Sequence, residues 1–220
     1  DGLLHVTTDG GAHWTNVTPK NWPEWMMINS ITPSTHDAGT CYVAGTRYKS
    51  GDYTPYLYKT KDFGKTWQRI TDGIPAEHFT RVIREDLTQQ GLLYAGTEAG
   101  LYVSFDDGDQ WQSFQLNLPI VPITDLALKN EDLIVATQGR SLWMIDDLSV
   151  LRQLAAASKQ KNYLFKPKDT YRLEGRSRAN STLSGTNHPN GVMVYYTLND
   201  PKNEQVSMHF IDQKNDTIKS

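Results

Sequence analysis

A single cysteine, Cys41, is the only thiol in the 220-residue chain, which excludes an internal disulfide and any cysteine-rich zinc centre. Long apolar runs are also missing. No segment approaches the roughly 20 residues of a membrane-spanning helix, and the opening residues "DGLLHVTTDGG" read as the middle of a folded sheet rather than a leader. Charge of one sign is lacking as well: 22 Lys plus Arg face 25 Asp plus Glu, a net charge of -3, so no overall field draws in nucleic acid or an anionic membrane. The six histidines (His5, His13, His36, His78, His188, His209) form no H-x-x-x-H pair. No G-x-S-x-G elbow occurs, and "AGTEAG" lacks the lysine of a phosphate loop. The expectation is a protein with no metal, no cofactor, no nucleic-acid partner and no membrane span.

What is present is a repeat. "TTDGGAHW" (7–14), "TKDFGKTW" (60–67) and "SFDDGDQW" (104–111) align Thr7, Asp9, Gly11 and Trp14 with Thr60, Asp62, Gly64 and Trp67, and with Ser104, Asp106, Gly108 and Trp111. The Asp positions step by 53 and then 44 residues, in the range of four-stranded propeller blades. Each octet follows an alternating apolar segment ("LLHVT", "YLYKT", "LYVSF") and precedes a shorter one ("WTNV", "WQRI", "WQSF"), which places it in a β-hairpin turn. There the Asp carboxylate accepts bonds from backbone N–H groups, Gly covers a positive φ and the hydroxyl adds a partner. Trp opens the outer strand and buries a large surface between neighbouring sheets. The octet reads as architecture rather than catalysis.

The pattern S/T-x-D-x-G-x-x-W resembles the Asp-box, or bacterial neuraminidase repeat, of β-propellers found in sialidases, sortilin-type receptors and xyloglucan-cleaving glycosidases. The segments "GLLYAGTEAGLYVSFDDGDQWQSFQLNLP", "DLIVATQGRSLWMIDDLSVLRQL" and "YLFKPKDTYRL" further resemble large exported bacterial proteins with sortilin-like propellers, often labelled glycosyl hydrolases. The resemblance covers nearly the whole chain. It departs at Gln138, where the pattern "ATHGRS" carries His, so no role rests on an imidazole there. It implies an all-β fold and export to the periplasm, cell surface or medium of a bacterium.

Within one blade the strands are expected at 26–32, 40–46, 55–60 and 66–70, and in the next at 79–84, 91–97, 100–105 and 110–114. "ITDLAL", "DLIVAT" and "SLWMID" make three strands without a box or a fourth strand. The chain also opens on a third strand, so residues 1–147 hold about two whole and two partial blades, fewer than the roughly four to eight of a closed ring. The remaining blades are expected upstream or in another chain. Residues 148–160, with Leu148, Leu151 and Leu154 at spacings of three behind Asp146 and Asp147, read as a helical linker. Residues 161–220 return to strand patterns around a Ser, Asn and Gly-rich loop (175–191) and read as the start of an immunoglobulin-like β-sandwich. The basic stretch 159–178 reads as a solvated face, and the sequons at Asn16, Asn180 and Asn215 predict no glycan in a bacterial protein.

The octet turns join third and outer strands, so a ligand face falls at the opposite end, on loops 18–25, 47–54, 72–79, 98–99, 117–122 and 138–140. "NWPEW" offers Trp22 and Trp25, and "RYKSGDY" adds Arg47, Tyr48, Asp52 and Tyr53, an aromatic and charged rim suited to recognition. His78, Arg81, Glu98 and Arg140 complete the candidate set, with Glu77 beside them. The same residues also suit wedges and ion pairs between blades. Two readings follow: an interaction module for peptide, protein or glycan, or a carbohydrate-active glycoside hydrolase of sialidase or xyloglucanase type. The second needs two carboxylates roughly 5 to 10 Å apart, and nothing in the sequence pairs Asp52, Asp72, Glu77 or Glu98.

Overall fold

The computed structural model of the protein describes residues 2–171, 191–199 and 206–220. Most of the expected 175–191 loop, with Arg172, Arg176, Arg178, the Asn180 sequon and His188, lies outside the described residues. The chain is mostly β and divides into two compact units, Asp1–Leu148 and Ser149–Ser220.

The first unit is a series of small antiparallel sheets in chain order. β1 (His5–Val6) pairs with β2 (Thr15–Asn16). β3 (Met27–Pro33), β4 (Cys41–Arg47), β5 (Asp52–Thr60) and β6 (Gln68–Arg69) form one four-stranded meander, and β7 (Thr80–Glu85), β8 (Leu93–Thr97), β9 (Gly100–Ser104) and β10 (Gln112–Ser113) form the next. β11 (Ile123–Lys129), β12 (Asp132–Thr137) and β13 (Leu142–Ile145) make a three-stranded sheet.

Middle strands such as β8 and β9 are buried along their whole length, and their sequences "LYAGT" and "GLYVS" are correspondingly apolar on both faces. The first strand of one sheet packs on its predecessor: β7 lies against β3, β4 and β5, and β11 lies against β7 and β8. A core of Tyr42, Leu57, Ile70, Ile83, Leu93, Tyr102 and Trp111 fills the space between the two four-stranded sheets. Each such aliphatic side chain contributes about 1.5–3 kcal/mol by leaving water. A second cluster holds Met26, Tyr56 and Tyr58, with Trp22 and Trp67 packed against it.

Each first strand also carries a bulge near its start. The register skips Asn29 in β3, Arg81 in β7 and Thr124 in β11. An extra residue there re-aims the side chains beyond it, which is why the buried Ile123 and Leu126 stand three apart instead of two.

Two expected boundaries shift. The third strand of the first meander starts at Asp52 rather than 55, because Arg47 and Asp52 face each other in register and their side chains bond at 3.0 Å. The outer strands shrink to two residues each; beyond β6 the chain keeps one further bond, from Ile70 N–H to the Leu57 carbonyl at 2.9 Å.

In the second unit, α1 (Ser149–Ala157) precedes β14 (Tyr163–Leu164), which pairs with β15 (Tyr196–Thr197), while β16 (Phe210–Ile211) pairs with β17 (Thr217–Lys219). Within this unit the helix is tied to the segment that follows β14. Gln153 donates from Nε2 to the Lys166 carbonyl at 3.0 Å and accepts the Lys166 N–H on Oε1 at 2.9 Å. No helix is long and apolar enough to cross a membrane among the described residues.

Candidate functional site

The three octets share one turn geometry. Thr60 Oγ1 donates to Asp62 Oδ1 at 2.9 Å and accepts the Gly64 N–H at 2.9 Å, while Asp62 Oδ1 also accepts the Thr66 N–H at 2.8 Å. Ser104, Asp106, Gly108 and Gln110 repeat the set at 2.8, 2.9 and 2.9 Å, and Thr7, Asp9, Gly11 and His13 at 2.9, 2.9 and 3.0 Å. The backbone bond from His13 and its imidazole hold Asp9 down to about 2, and the Thr66 hydroxyl and N–H likewise lower Asp62. These carboxylates are occupied in folding the turn.

Two successive residues of each turn take a left-handed backbone: Gly10 and Gly11, Phe63 and Gly64, Asp107 and Gly108. The glycine at the second of these positions was legible in the sequence; at the first, Asp107 (φ 62°) is a residue type that tolerates this region, whereas Phe63 carries no signal for its φ of 59°. At Asp107 the conformation has a use. Its Oδ1 accepts the Tyr42 hydroxyl at 2.6 Å, its Oδ2 takes the buried Lys59 at 2.9 Å and Lys61 at 2.7 Å, and its carbonyl takes Lys59 again at 2.7 Å. Burial and then the Asp107 bond push the Tyr42 phenol far up; against the opposing effect of burial, Lys61, Tyr42 and Lys59 hold Asp107 below the usual carboxylate range. This network joins the two four-stranded sheets at their octet end.

The other end carries the candidate ligand residues. The four residues between β4 and β5 begin with a 3₁₀ turn, Tyr48–Ser50, that lays the Tyr48 ring on Phe79 at 5.0 Å and an interplanar angle of 9°. Tyr53 leans on the same Phe79 at 6.0 Å. Arg81, the bulged residue of β7, sets its guanidinium 5.2 Å from the Phe79 ring and 5.8 Å from Tyr48, and pairs with Glu98 at 2.6 Å. His78 shares a hydrogen bond with the Tyr102 hydroxyl at 2.7 Å. Behind the shelf, Asp52 accepts from Arg47 at 3.0 Å and from Tyr56 at 2.7 Å, and these bonds with Thr54 lower its pKa despite the upward push of burial.

Thus Tyr48, Tyr53 and Glu98 stand in one contact network with Arg81, while Arg47 pairs with Asp52 beside it and the His78 side chain goes to Tyr102 instead. Glu98 and Arg81 belong to the same sheet, so they do not bridge neighbours. Trp22 lies elsewhere, its ring 4.7 Å from Tyr58. Trp25 is 75 % exposed with φ of 61° and lines a hollow of about 420 Å³ together with Trp22, Pro19 and Glu24. Arg140 is exposed, its carbonyl accepting from Trp143 Nε1 at 2.9 Å. Sequence reasoning passed over Phe79, the ring on which the shelf is built; its place at the start of an apolar strand reads as core, and it is 4 % exposed. Large apolar side chains also stand out at this end: Tyr53 at the start of β5, and Leu116 and Ile120 between β10 and β11, are 54, 70 and 78 % exposed.

No family profile matches this sequence, and no curated protein matches it. Among solved structures it is similar to YCF48 bound to D1 peptide, at 20 % identity and a TM-score of 0.49 over 66 % of this chain and 45 % of that one. It is similar to YCF48 from Cyanidioschyzon merolae at 16 % identity and 0.46, covering 66 % and 47 %. It is also similar to the GH74 xyloglucanase from Xanthomonas campestris at 18 % and 0.43, covering 55 % and 22 %. The chain spans less than half the length of each of these proteins, and likenesses of this depth transfer neither ligand nor reaction.

Proposed function

We propose that the first unit is a run of Asp-box β-propeller blades from an exported bacterial protein, and that it binds an extended peptide or protein segment at the end opposite the octets. The second unit then begins a β-sandwich that follows the propeller. The observation that carries the binding reading is the Tyr48–Phe79–Tyr53 shelf with Arg81 set against its rings. Aromatic and Arg anchors of this kind dominate protein recognition energetically. Exposed Tyr53, Leu116 and Ile120 extend an apolar rim on the same end, as a peptide's side chains require.

Glycoside hydrolysis asks for something else: a carboxylic acid held protonated by a raised pKa, beside a second carboxylate. Asp52 is shifted the opposite way, and Glu98 is committed to Arg81. The test is to pan a random linear peptide library, displayed on phage, against the immobilised chain, alongside a glycan array and a xyloglucan oligosaccharide cleavage assay. The expected result is a shared peptide motif whose affinity falls by about 30-fold or more in Tyr48→Ala and Arg81→Ala, each checked for native circular dichroism. Glycan-selective binding, cleavage of the oligosaccharide, or no enriched peptide overturns the proposal.

A further inference from the structure

The backbone beside the Tyr48–Phe79–Tyr53 shelf is poorly placed to accept an added strand. β4 is paired along both edges, with β3 and with β5. β5 has an open stretch at its start, because β6 pairs only with Tyr58 and Lys59. The polar groups of that stretch are already spent: the Thr54 N–H donates to Asp52 Oδ1 at 3.0 Å, and the Pro55 carbonyl accepts from Arg69 Nη2 at 2.8 Å. Pro55 has no N–H to give. Proline at an open edge, with its neighbour's donor occupied, blunts strand addition.

Side chains are what the shelf offers. Tyr48 lies nearly parallel to Phe79 at 9°, and Tyr53 tilts against the same ring at 44°, so the two tyrosine planes are inclined to each other around one buried support. Neither the Tyr48 nor the Tyr53 hydroxyl bonds to a described residue, whereas those of Tyr42, Tyr56 and Tyr102 do. Arg81 is matched by Glu98 and Arg47 by Asp52, while Lys49 stands 6.0 Å from the Tyr48 ring. The capacity left for a ligand is therefore ring faces edged by phenol donors.

We propose that the peptide segment bound here is in the polyproline II conformation and is recognised through its prolines. Such a segment makes no internal hydrogen bonds and keeps its carbonyls open, so it calls for donors but not for a strand edge. Tyr48 and Tyr53 supply apolar faces for the pyrrolidine rings and hydroxyls for the carbonyls beside them. A stiff proline segment also loses little conformational freedom on docking, which suits a small shelf. The inference rests on the peptide reading of the shelf and adds the conformation and residue type of the ligand.

The probe is fluorescein-labelled decaproline, with a glycine–serine peptide of equal length as control. Each is titrated by fluorescence anisotropy against the wild type, Tyr48→Phe, Tyr53→Phe and Tyr48→Ala, all checked for native circular dichroism. Decaproline is expected to bind and the control not to bind. Its affinity is expected to fall about 3- to 10-fold in each Phe variant, which keeps the ring and loses one hydrogen bond, and about 30-fold in Tyr48→Ala. No binding of decaproline, or equal affinity in the wild type and both Phe variants, overturns the inference. If panned peptides carry no proline yet lose affinity in Tyr48→Ala, the polyproline assignment falls and the shelf stands as a peptide site. A panning experiment that enriches nothing removes both.

Discussion

Trp14, Trp67 and Trp111 sit in the same sequence context, yet they do different amounts of work in this chain. Trp111 is 4 % exposed and hydrogen-bonded to the neighbouring sheet, while Trp14 is 62 % exposed. Trp111→Ala is therefore expected to destabilise by about 3–5 kcal/mol, whereas Trp14→Ala stays within about 0.5 kcal/mol, both read from urea unfolding of the isolated chain. Equal losses at the two sites would contradict the packing described. The octet residues were legible because a turn needs Asp, Gly and a hydroxyl for reasons local to the chain. Asp107 was not legible as a partner of Lys59 and Tyr42, which lie 48 and 65 residues away in sequence and meet it only through sheet packing.

Asp107 also gives a pH prediction. Its folded pKa is lowered below the ordinary 3.8, so its stabilising contribution is complete above that value and drains away as pH falls through the lowered one. The urea midpoint of the wild type should therefore drop more steeply between about pH 5 and pH 3 than that of Asp107→Asn. A parallel fall in the two proteins would show that the Lys59–Asp107–Lys61 cluster makes no pH-dependent contribution.

At the scale of elements, strand order could be read directly, since each apolar alternation is separated by a turn signal. The bulges were not legible: nothing in Asn29, Arg81 or Thr124 marks an inserted residue, and only pairing with the next strand reveals it. That hidden feature matters for the site, because the bulged residue of β7 is Arg81, the cation of the aromatic shelf. One residue earlier, Thr80 is fully buried and threads between β4 and β5. Its Oγ1 lies 2.9 Å from the carbonyls of both Gly45 and Tyr56 and accepts the Tyr56 N–H at 3.0 Å. Thr80→Val keeps the shape and orphans the Tyr56 N–H in a dry interface, so it should cost about 1–3 kcal/mol. Denaturant titration checks it, and an unchanged midpoint would mean that this bond does not hold the sheets together.

At the scale of the whole molecule, the two ends of the sheets divide the labour. Octet turns and the Asp107 network fasten one end, where carboxylates are consumed by backbone N–H groups and lysines. The opposite end carries Tyr48 and Phe79 on short connections and Tyr53 and Arg81 at the starts of β5 and β7, fixed by a bulge and cross-strand pairs. Of the candidate ligand residues, Tyr48, Tyr53 and Glu98 come together around Arg81 because consecutive sheets stack first strand on second. Trp22 and Trp25 do not join them: on the connection that leads into β3, Trp22 packs on Tyr58 and both line a separate hollow, while Arg140 stands between β12 and β13 of another sheet. The most direct measurement is the affinity of a panned peptide for the wild type, Tyr48→Ala and Asp62→Ala, each verified as folded. The account predicts loss of binding in Tyr48→Ala and an unchanged affinity in Asp62→Ala; binding that survives the first and fails in the second would place function in the octets and contradict it.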